Sequence, residues 1–324
     1  MSANPLLLPW SAAWRAASRV FWTDAEPADH FSTSAGPALA DRMTQILRST
    51  DARLGHPDGL AIVDVGCGDG TLLELIRERC PDLASRARWL GIDVRPFVRP
   101  GIVSLVGEWP DLVSRVFEAE SITGLVMAHE WLDEIPCDIV ERDAEGADRI
   151  VLVDGDGCEH LGPPLSDDGA CAELDIDGPS ARAWIARWWP LQEEGERAEV
   201  GIERDRAWRW ITSLLQRGTA VATDYGHDRE ARIAMHRRGT LAGYRNGRIA
   251  SPVPDGRVGL TAHVAQDACA AARAGTTISV QRDEITAPSV GPRPGADDVT
   301  AYFEAVRLRD PRRLGGIGWL RWER

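Results

Sequence analysis

The chain has 324 residues and a formal net charge of −13, with 50 acidic residues against 37 basic ones. It contains no lysine, so every basic side chain is an arginine. The acidic balance disfavours nucleic acid as a partner, because proteins bind its backbone mainly by neutralising phosphates. Schiff-base chemistry and a P-loop lysine are excluded as well. The length allows one large domain with insertions or two smaller domains.

The six cysteines are scattered without a CxxC pair, and no His-Cys cluster has the spacing of a metal site. We therefore expect reduced thiols, no bound metal and a cytoplasmic location. The first residues, MSANPLLLPW, have no positively charged start, and Pro5 and Pro9 bracket the apolar part, which argues against a signal peptide. No stretch is long enough to span a membrane.

Two helices are predicted ahead of the first strand. The segment WSAAWRAASRVFW (10–22) fits a helix that packs its Trp residues on the body, the alternative being a transit peptide. The segment ALADRMTQILRS (38–49) has apolar residues at helical spacing. Strands and helices then alternate, in LAIVDV (60–65), TLLELIRERC (71–80), WLGIDV (89–94) and ITGLVMAHE (122–130). This alternation predicts an α/β fold with a doubly wound, Rossmann-like parallel sheet.

The second half of the chain interrupts this alternation and then resumes it. Residues 138–154 predict a hairpin around Glu145-Gly146, and residues 155–180, rich in Gly, Asp and Pro, are expected to be a partly mobile insertion. A helix within 203–218 is predicted to end at Gly218, and TAVATDYG (219–226) reads as a buried strand. The last third is expected to supply the final strands and a helix near 297–308.

The most informative stretch is IVDVGCGDGTLLELI (62–76), which predicts a strand, a glycine-rich turn and a helix. Gly66, Gly68 and Gly70 let the backbone approach a ligand where a Cβ would collide. Their GxGxG spacing differs from the GxGxxG of pyrophosphate-binding turns. With Asp64 ahead of the glycines, the pattern is that of enzymes that use S-adenosylmethionine (SAM), a nucleoside without phosphates.

Asp93 ends the next predicted strand, where a carboxylate can accept hydrogen bonds from both ribose hydroxyls. Its alternative role is that of a helix N-cap or a turn residue. Together with Asp64 and the three glycines, Asp93 predicts a class I methyltransferase with SAM as its cofactor. Glu108 and Trp109 are further predicted cofactor contacts.

The segment MAHEWLDEIP (127–136) places costly charges at the end of an apolar strand, where a site is a more specific explanation than a solvated acidic loop. In the predicted fold His129, Glu130 and Asp133 face the methyl acceptor. Glu130 is the first choice for orienting a guanidinium and taking its proton, and Asp133 is the second unless it caps the turn. His129 is either a base for a hydroxyl or carboxyl acceptor or a ligand of the cofactor's carboxylate.

Several other residues have less specific roles. Thr33, Ser34 and Tyr225 are candidate pocket walls, the first two in a loop over the cofactor, with capping or core packing as the alternative. His263 is more simply a structural histidine. The tryptophans of WIARWWP and WRWI are expected in the core or at a protein contact.

The chain resembles the MidA-like family of SAM-dependent methyltransferases. Motifs occur in the order of that family, namely HFSTS (30–34), DVGCGDGTL (64–72), AHEWLDEIP (128–136), AEVG (198–201), TDYG (223–226), RRGTLAGYRNGR (237–248) and LTAHV (260–264). The resemblance implies methyl transfer from SAM, and for the mitochondrial relatives methylation of an arginine during assembly of respiratory complex I. The chain departs from the family patterns at His129, Ala35-Gly36, Gly247-Arg248 and Gly259. These departures concern the acceptor motifs more than the cofactor motifs.

This interpretation divides the chain into four parts, which are an N-terminal helical arm with a cofactor-covering loop (1–50), the first part of the SAM-binding core (51–137), an insertion (138–200) and the remaining core with acceptor-side loops (201–324). The predicted function is methyl transfer to a nitrogen, such as a protein arginine, or to an oxygen. A SAM-binding assembly factor with little or no turnover is the alternative, and a nicotinamide-dependent oxidoreductase is a third. A protein acceptor is the expected partner, and the sequence assigns no oligomeric state.

Overall fold

The computed structural model describes residues 7–24, 34–83, 86–110, 120–286 and 296–324. The chain divides into two compact units. The first, called the sheet unit below, comprises residues 33–132, 207–226 and 270–324. The second, called the hairpin unit, comprises residues 1–32, 133–206 and 227–269.

The described helices are α1 (Trp10–Asp24), α2 (Pro37–Leu54), α3 (Thr71–Glu78), α4 (Asp168–Glu173), α5 (Gly178–Trp188), α6 (Ile202–Ser213), α7 (Arg229–Met235), α8 (Gln266–Ala272), α9 (Gln281–Glu284) and α10 (Ala296–Arg309). The strands are β1 (Leu8–Pro9), β2 (Leu60–Val65), β3 (Ala87–Asp93), β4 (Val103–Val106), β5 (Ile122–His129), β6 (Asp138–Arg142), β7 (Asp148–Val153), β8 (Glu159–Pro164), β9 (Arg197–Val200), β10 (Leu215–Asp224), β11 (Gly226–His227), β12 (Ala242–Arg245), β13 (Arg248–Ala250), β14 (Gly259–Thr261), β15 (Val264–Ala265), β16 (Thr277–Val280) and β17 (Gly318–Glu323). In the ranges described, none of the helices combines the length and apolar character of a membrane span.

The sheet unit is built on seven strands in the order β16-β17-β10-β5-β2-β3-β4. The strands from β10 to β4 are parallel to their neighbours, whereas β17 runs antiparallel to both β10 and β16. Within this sheet the first strand along the sequence is β2. The strands β3 and β4 follow on one side of β2, and β5 and β10 follow on its other side. The direction of winding therefore reverses between β2 and β5.

The apolar patterning explains why these segments pack as they do. All six residues of β2 are buried, as expected for a parallel strand covered on both faces. The helical repeat in α2 puts Leu39, Met43 and Leu47 on one face, and each of these side chains is fully buried. They join residues of the sheet in the main core of the unit.

The hairpin unit contains a sheet in the order β1-β7-β6-β9, with β8 paired to β7. The predicted hairpin is confirmed, since β6 and β7 pair antiparallel on either side of Gly146, whose φ is +80°. The predicted packing of the N-terminal helix is confirmed too, because Trp10 and Trp14 are fully buried in the cluster that contains Ile139 and Val151.

Gly218 does not end a helix, as the sequence had suggested. The helix α6 ends at Ser213, and Gly218 lies inside β10 opposite Gly124 of β5. Both glycines have φ near +145°, and a Cβ on Gly218 would lie 1.9 Å from the Gly124 carbonyl oxygen. Close approach of two backbones is the other common reason for a glycine in a strand.

The insertion is also more regular than predicted. Residues expected to be partly mobile form β8, α4 and the start of α5, and α4 and α5 have Asp N-caps at Asp167 and Asp177. The division into units also differs from the predicted parts. The segment 1–50 contributes to both units, and residues 227–269, expected in the core, belong to the hairpin unit.

Candidate functional site

Parallel register places the ends of four strands at one edge of the large sheet. Val65 of β2 pairs with Ile92 of β3 and with Ala128 of β5, and His129 of β5 pairs with Thr223 of β10. The segments that follow these residues therefore emerge side by side. The winding reverses between β2 and β5, and open α/β sheets bind ligands outside the carboxyl ends of their strands at such a point.

The glycine-rich turn after β2 has left-handed backbone at all three glycines, with φ of +70° at Gly66, +56° at Gly68 and +80° at Gly70. A Cβ on Gly66 would meet the Trp131 ring at 2.4 Å, and one on Gly70 would meet Phe97 at 2.7 Å. No atom of the described residues lies within 4 Å of a Cβ built on Gly68. The turn is thus packed at its two ends and open in the middle.

Asp93 is attached directly to this turn. Its Oδ2 accepts a hydrogen bond of 2.8 Å from the backbone nitrogen of Gly68, and Oδ1 accepts one of 3.3 Å from Arg95. Burial raises the pKa of Asp93, although these hydrogen bonds oppose the shift. The Asp93 carbonyl also accepts from Gly107, so Glu108, one residue further on, lies close to this strand end.

Asp64 is a buried carboxyl group inside β2, with 1 % of its surface exposed. Its Oδ1 has no hydrogen-bond partner among the described residues. Burial, reinforced by the nearby charge of Asp93, raises the pKa of Asp64 well above its usual range. An unpaired buried carboxyl is costly unless a ligand compensates it. A cationic group would do so.

The charge pattern selects among nucleotide ligands. Asp64 and Asp93 both adjoin the glycine-rich turn, and Asp69 lies within it. Carboxylates at this place would repel a pyrophosphate, whereas they suit a ligand with hydroxyls and positive charges. SAM carries an ammonium, a sulfonium and two ribose hydroxyls, so the residues present fit this cofactor.

Three tryptophans pack together, and one of them, Trp131, lies against Gly66 of the turn. The Trp109 ring lies 6.3 Å from Trp131 and 5.6 Å from Trp210, measured between ring centroids, and all three side chains are half-buried. Trp109 was a predicted cofactor contact, Trp210 belongs to the segment WRWI that was predicted for the core or a protein contact, and Trp131 was not singled out from the sequence. The half-buried Trp131 ring provides apolar surface next to Gly66.

Glu130 follows β5 in a left-handed conformation, with φ of +49°. Its Oε1 accepts hydrogen bonds from the Ser34 backbone nitrogen at 3.0 Å and from the Ser34 hydroxyl at 2.8 Å. Among the described residues nothing hydrogen-bonds the other carboxylate oxygen, Oε2. A non-glycine residue held at positive φ is uncommon, and such strain concentrates at functional positions.

His129 is part of the same arrangement. Its Nε2 lies 3.2 Å from the Ser34 Oγ and 3.3 Å from Glu130 Oε1, and its Nδ1 lies 2.6 Å from the Thr223 Oγ1. The side chain is buried, and this burial lowers the pKa of His129 in spite of the Glu130 charge. The structure thus brings together three predicted residues, His129, Glu130 and Ser34. The fourth residue, Thr223, was missed.

Asp224 is a second residue that the sequence did not single out. It is 3 % exposed, and its Oδ2 accepts from the backbone nitrogens of Trp131 and Leu132. This carboxylate fixes the chain directly after Glu130. Asp224 lies in the motif TDYG, which was the available signal in the sequence. Within that motif, however, Tyr225 was predicted as a pocket wall and Asp224 was given no role.

Asp133 belongs to the hairpin unit and is buried. Its carbonyl accepts hydrogen bonds from the Ala262 nitrogen and from the guanidinium of Arg204. Arg204, itself 2 % exposed, also donates to the carbonyls of Ile135 and His263. A buried guanidinium therefore organises the backbone of two motif segments, a role that the sequence did not reveal.

The remaining predicted residues have structural surroundings. Tyr225 packs against the main core of the sheet unit. His263 lies near His227 and His236, with ring centroids 6.3 and 5.6 Å away, and burial lowers its pKa to about 4. Its backbone nitrogen donates to the Thr240 hydroxyl. Thr33 lies outside the described residues.

The fold and the edge of the sheet together define an α/β protein with a nucleoside-type cofactor site. A family model described as "Putative S-adenosyl-L-methionine-dependent methyltransferase" matches residues 38–282. The chain belongs to this family, and it is a SAM-dependent methyltransferase with SAM as its cofactor.

Solved structures agree with the fold. A COG1565 superfamily member "and likely methyl transferase" from Burkholderia thailandensis, bound to S-adenosyl-homocysteine, superposes with a TM-score of 0.70 at 18 % identity, over 98 % of this chain and 88 % of that one. A native crystal structure of a COG1565 superfamily protein from the same organism gives 0.71 at 19 % identity, over 98 % and 87 %. These likenesses show an α/β methyltransferase fold. No curated protein sequence matches the chain.

Proposed function

We propose that this protein transfers the methyl group of SAM to a cationic nitrogen acceptor, the guanidinium of a protein arginine being the first candidate, and that Glu130 orients that acceptor. The observation that carries the proposal is the Glu130 carboxylate, which is held at one oxygen by Ser34 and has no hydrogen-bond partner at the other among the described residues. It stands at the carboxyl edge of the sheet, next to the glycine-rich turn that Trp131 contacts.

The same proposal assigns the cofactor residues. Gly66, Gly68 and Gly70 form the cradle, Asp93 binds the ribose, and Asp64 compensates the cofactor's positive charge. Glu108 and Trp109 line the base. The strand order supports the assignment of the large sheet as the doubly wound, Rossmann-like sheet of class I methyltransferases. The family match is consistent with the narrower MidA-like assignment suggested by the sequence motifs.

The chemistry requires alignment more than acid or base strength. Bound SAM supplies a methyl group on a positively charged sulfur, which leaves as a neutral thioether. A guanidinium is protonated at neutral pH, so the protein must orient it and accept its proton as the new bond forms. Glu130 does both through charge-assisted hydrogen bonds. Ser34 fixes Oε1, and Asp224 holds the backbone after Glu130, so the carboxylate has a defined direction.

The acceptor is identified by labelling. Lysate from a strain that lacks the gene is incubated with the purified protein and isotopically labelled SAM, and mass spectrometry locates the new methyl group. Protein carrying Glu130→Gln provides the matched control. The proposal expects a methylated nitrogen, with the label much reduced in the control. Label on oxygen or carbon would overturn the nitrogen assignment.

Two further outcomes separate the rival functions. Binding of SAM without any labelled product or release of S-adenosylhomocysteine would favour an assembly factor that does not turn over its cofactor. Binding of NADH in preference to SAM would favour an oxidoreductase. A protein acceptor, the absence of nucleic-acid and membrane partners, and a cytoplasmic location remain expectations from the sequence.

A further inference from the structure

Four side chains at the carboxyl edge of the sheet form a continuous hydrogen-bonded chain. It runs from the Glu130 carboxylate through the Ser34 hydroxyl and the His129 imidazole to the Thr223 hydroxyl. Ser34 lies 95 residues before His129 in the sequence and Thr223 lies 94 residues after it. The elements concerned all belong to the sheet unit.

The direction of every hydrogen bond in this chain follows from its charged end. A carboxylate only accepts, so the Ser34 hydroxyl hydrogen points to Glu130. The Ser34 oxygen is then an acceptor for His129, which must donate from Nε2. A neutral imidazole carries one N–H group, so Nδ1 accepts from the hydroxyl of Thr223.

The opposite direction fails on electrostatic grounds. It would place the Nε2 lone pair of His129 at 3.3 Å from Glu130 Oε1 and would turn the Ser34 hydroxyl hydrogen away from the carboxylate. Two acceptors would then face each other in a buried site, which is costly. Burial lowers the pKa of His129, so its imidazole remains neutral.

We propose that His129 is a positioning residue whose Nε2–H group directs the Ser34 hydroxyl onto Glu130, and that it is not the base for the methyl acceptor. Both ring nitrogens of His129 are engaged, Nδ1 with Thr223 and Nε2 with Ser34. No lone pair of the imidazole is left to take a proton from an acceptor. This assignment rests on the proposed function in that Glu130 is the group being positioned.

The assignment narrows the acceptor class. A hydroxyl acceptor needs a base to remove its proton, and His129 was the residue available for that task. Because His129 is committed as a donor, the proton acceptor that remains is the Glu130 carboxylate. A carboxylate is suited to a cationic nitrogen and poorly suited to a neutral alcohol. The hydrogen-bonded chain therefore favours a guanidinium or amine over a hydroxyl.

Nitrogen NMR tests the assignment without any acceptor. The intact protein is labelled with ¹⁵N in its histidine rings, and the His129 signals are assigned by their loss in His129→Gln. We expect a protonated, pyrrole-type Nε2 and an unprotonated, pyridine-type Nδ1 at neutral pH. An Nδ1–H tautomer, or an imidazolium, would overturn the proposal.

Kinetic measurements test whether the hydrogen bonds that link Glu130, Ser34, His129 and Thr223 contribute to methyl transfer. We expect His129→Leu to slow methyl transfer to the acceptor found by labelling about tenfold, the effect of losing the neutral hydrogen bond that directs the Ser34 hydroxyl, with little change in KM for SAM. His129→Gln keeps an N–H near the same place and should recover much of the rate. Equal rates for the two variants would show that the imidazole only fills space.

A matched pair on β10 provides a second kinetic test. Thr223→Val removes the hydroxyl that hydrogen-bonds His129 Nδ1, and it should slow methyl transfer. Thr219→Val, on the same strand as Thr223, removes a buried hydroxyl that hydrogen-bonds Thr50 of α2, and it should leave the rate of transfer unchanged. Equal effects of the two would count against positioning. If the wild type methylates nothing, the proposed function fails, and the NMR measurement still decides the state of His129.

Discussion

The carboxylate of Asp93 accepts a hydrogen bond of 2.8 Å from the backbone nitrogen of Gly68. Asp93, the residue predicted to bind the ribose, is therefore hydrogen-bonded directly to the open centre of the glycine-rich turn. Asp93 both shapes the turn and remains available to a ligand, because a carboxylate can accept about four hydrogen bonds. The two roles considered from the sequence are compatible.

Replacing Asp93 by Ala should weaken SAM binding roughly ten- to a hundredfold, since hydrogen bonds to a charged acceptor contribute about 1.5 to 3 kcal/mol. Calorimetry on the purified variant measures the affinity. Asp82→Ala removes an exposed carboxylate of the same unit and should bind SAM as the wild type does. Unchanged affinity in the folded Asp93 variant would reduce Asp93 to a turn residue.

Gly68→Val should abolish SAM binding, because its Cβ points into open space where the ligand approaches. A valine at the positive φ of Gly68 is also strained in its backbone, so the control substitution must introduce a similar strain. Gly59 has φ of +79° and also no atom of the described residues within 4 Å of a Cβ. We expect Gly59→Val to lose a similar amount of stability and to keep its SAM affinity. Equal losses of affinity would mean that strain, not blockage, explains the effect.

Asp64→Asn should stabilise the ligand-free protein and weaken SAM binding. The pKa of Asp64 is raised in the folded state, so that state holds the Asp64 proton to higher pH than the unfolded chain does, whose Asp pKa is about 3.9. The contribution of Asp64 to stability is therefore greatest below about pH 4 and is lost as pH rises toward its folded pKa. The asparagine variant avoids this loss.

Thermal unfolding across pH measures this effect. The Tm advantage of Asp64→Asn should grow as pH rises from about 4 and then level off, each kcal/mol corresponding to about 2 to 4 °C for a unit of this size. A variant less stable than the wild type at neutral pH, without ligand, would show that a partner already compensates Asp64.

Glu130→Gln should leave SAM affinity within a few-fold of the wild type and slow methyl transfer by about 10² to 10⁴. The amide keeps an oxygen for Ser34 but loses the charge that orients a cation. His129→Asn is expected to be milder, because asparagine is usual at this position in the MidA-like family. If Glu130→Gln lost binding and turnover in proportion, Glu130 would be a cofactor ligand.

Arg204→Met should destabilise the hairpin unit by about 3 to 5 kcal/mol, because three backbone carbonyls would lose the buried guanidinium as a donor. Arg206→Met, two residues further on, removes an exposed arginine that pairs with Glu203 and should cost at most about 1 kcal/mol. Denaturant unfolding of the two variants gives the comparison. Similar losses would assign the effect to the helix rather than to the guanidinium.

Features that depend on neighbouring residues along the chain could be predicted from the amino-acid sequence. Apolar periodicity was sufficient for β2 and α2, and the pairing of β6 with β7 across Gly146 follows from a local turn. The glycine-rich turn after β2 and the position of Asp93 at the end of β3 were predicted from a short, chemically specific spacing. Local patterns report local structure reliably, since the repeat of a helix or strand is set by its own backbone.

Which side chains meet across the sheet depends on the fold and could not be predicted from the sequence. Ser34 and Glu130 are 96 residues apart, and Thr223 and Asp224 reach the end of β5 from a strand about 90 residues later. Gly218 shows the same limit, because a glycine that ends a helix and one that admits a neighbouring strand look alike in sequence. Long-range pairing depends on how strands are ordered across the sheet, and neither spacing nor periodicity along the chain specifies that order.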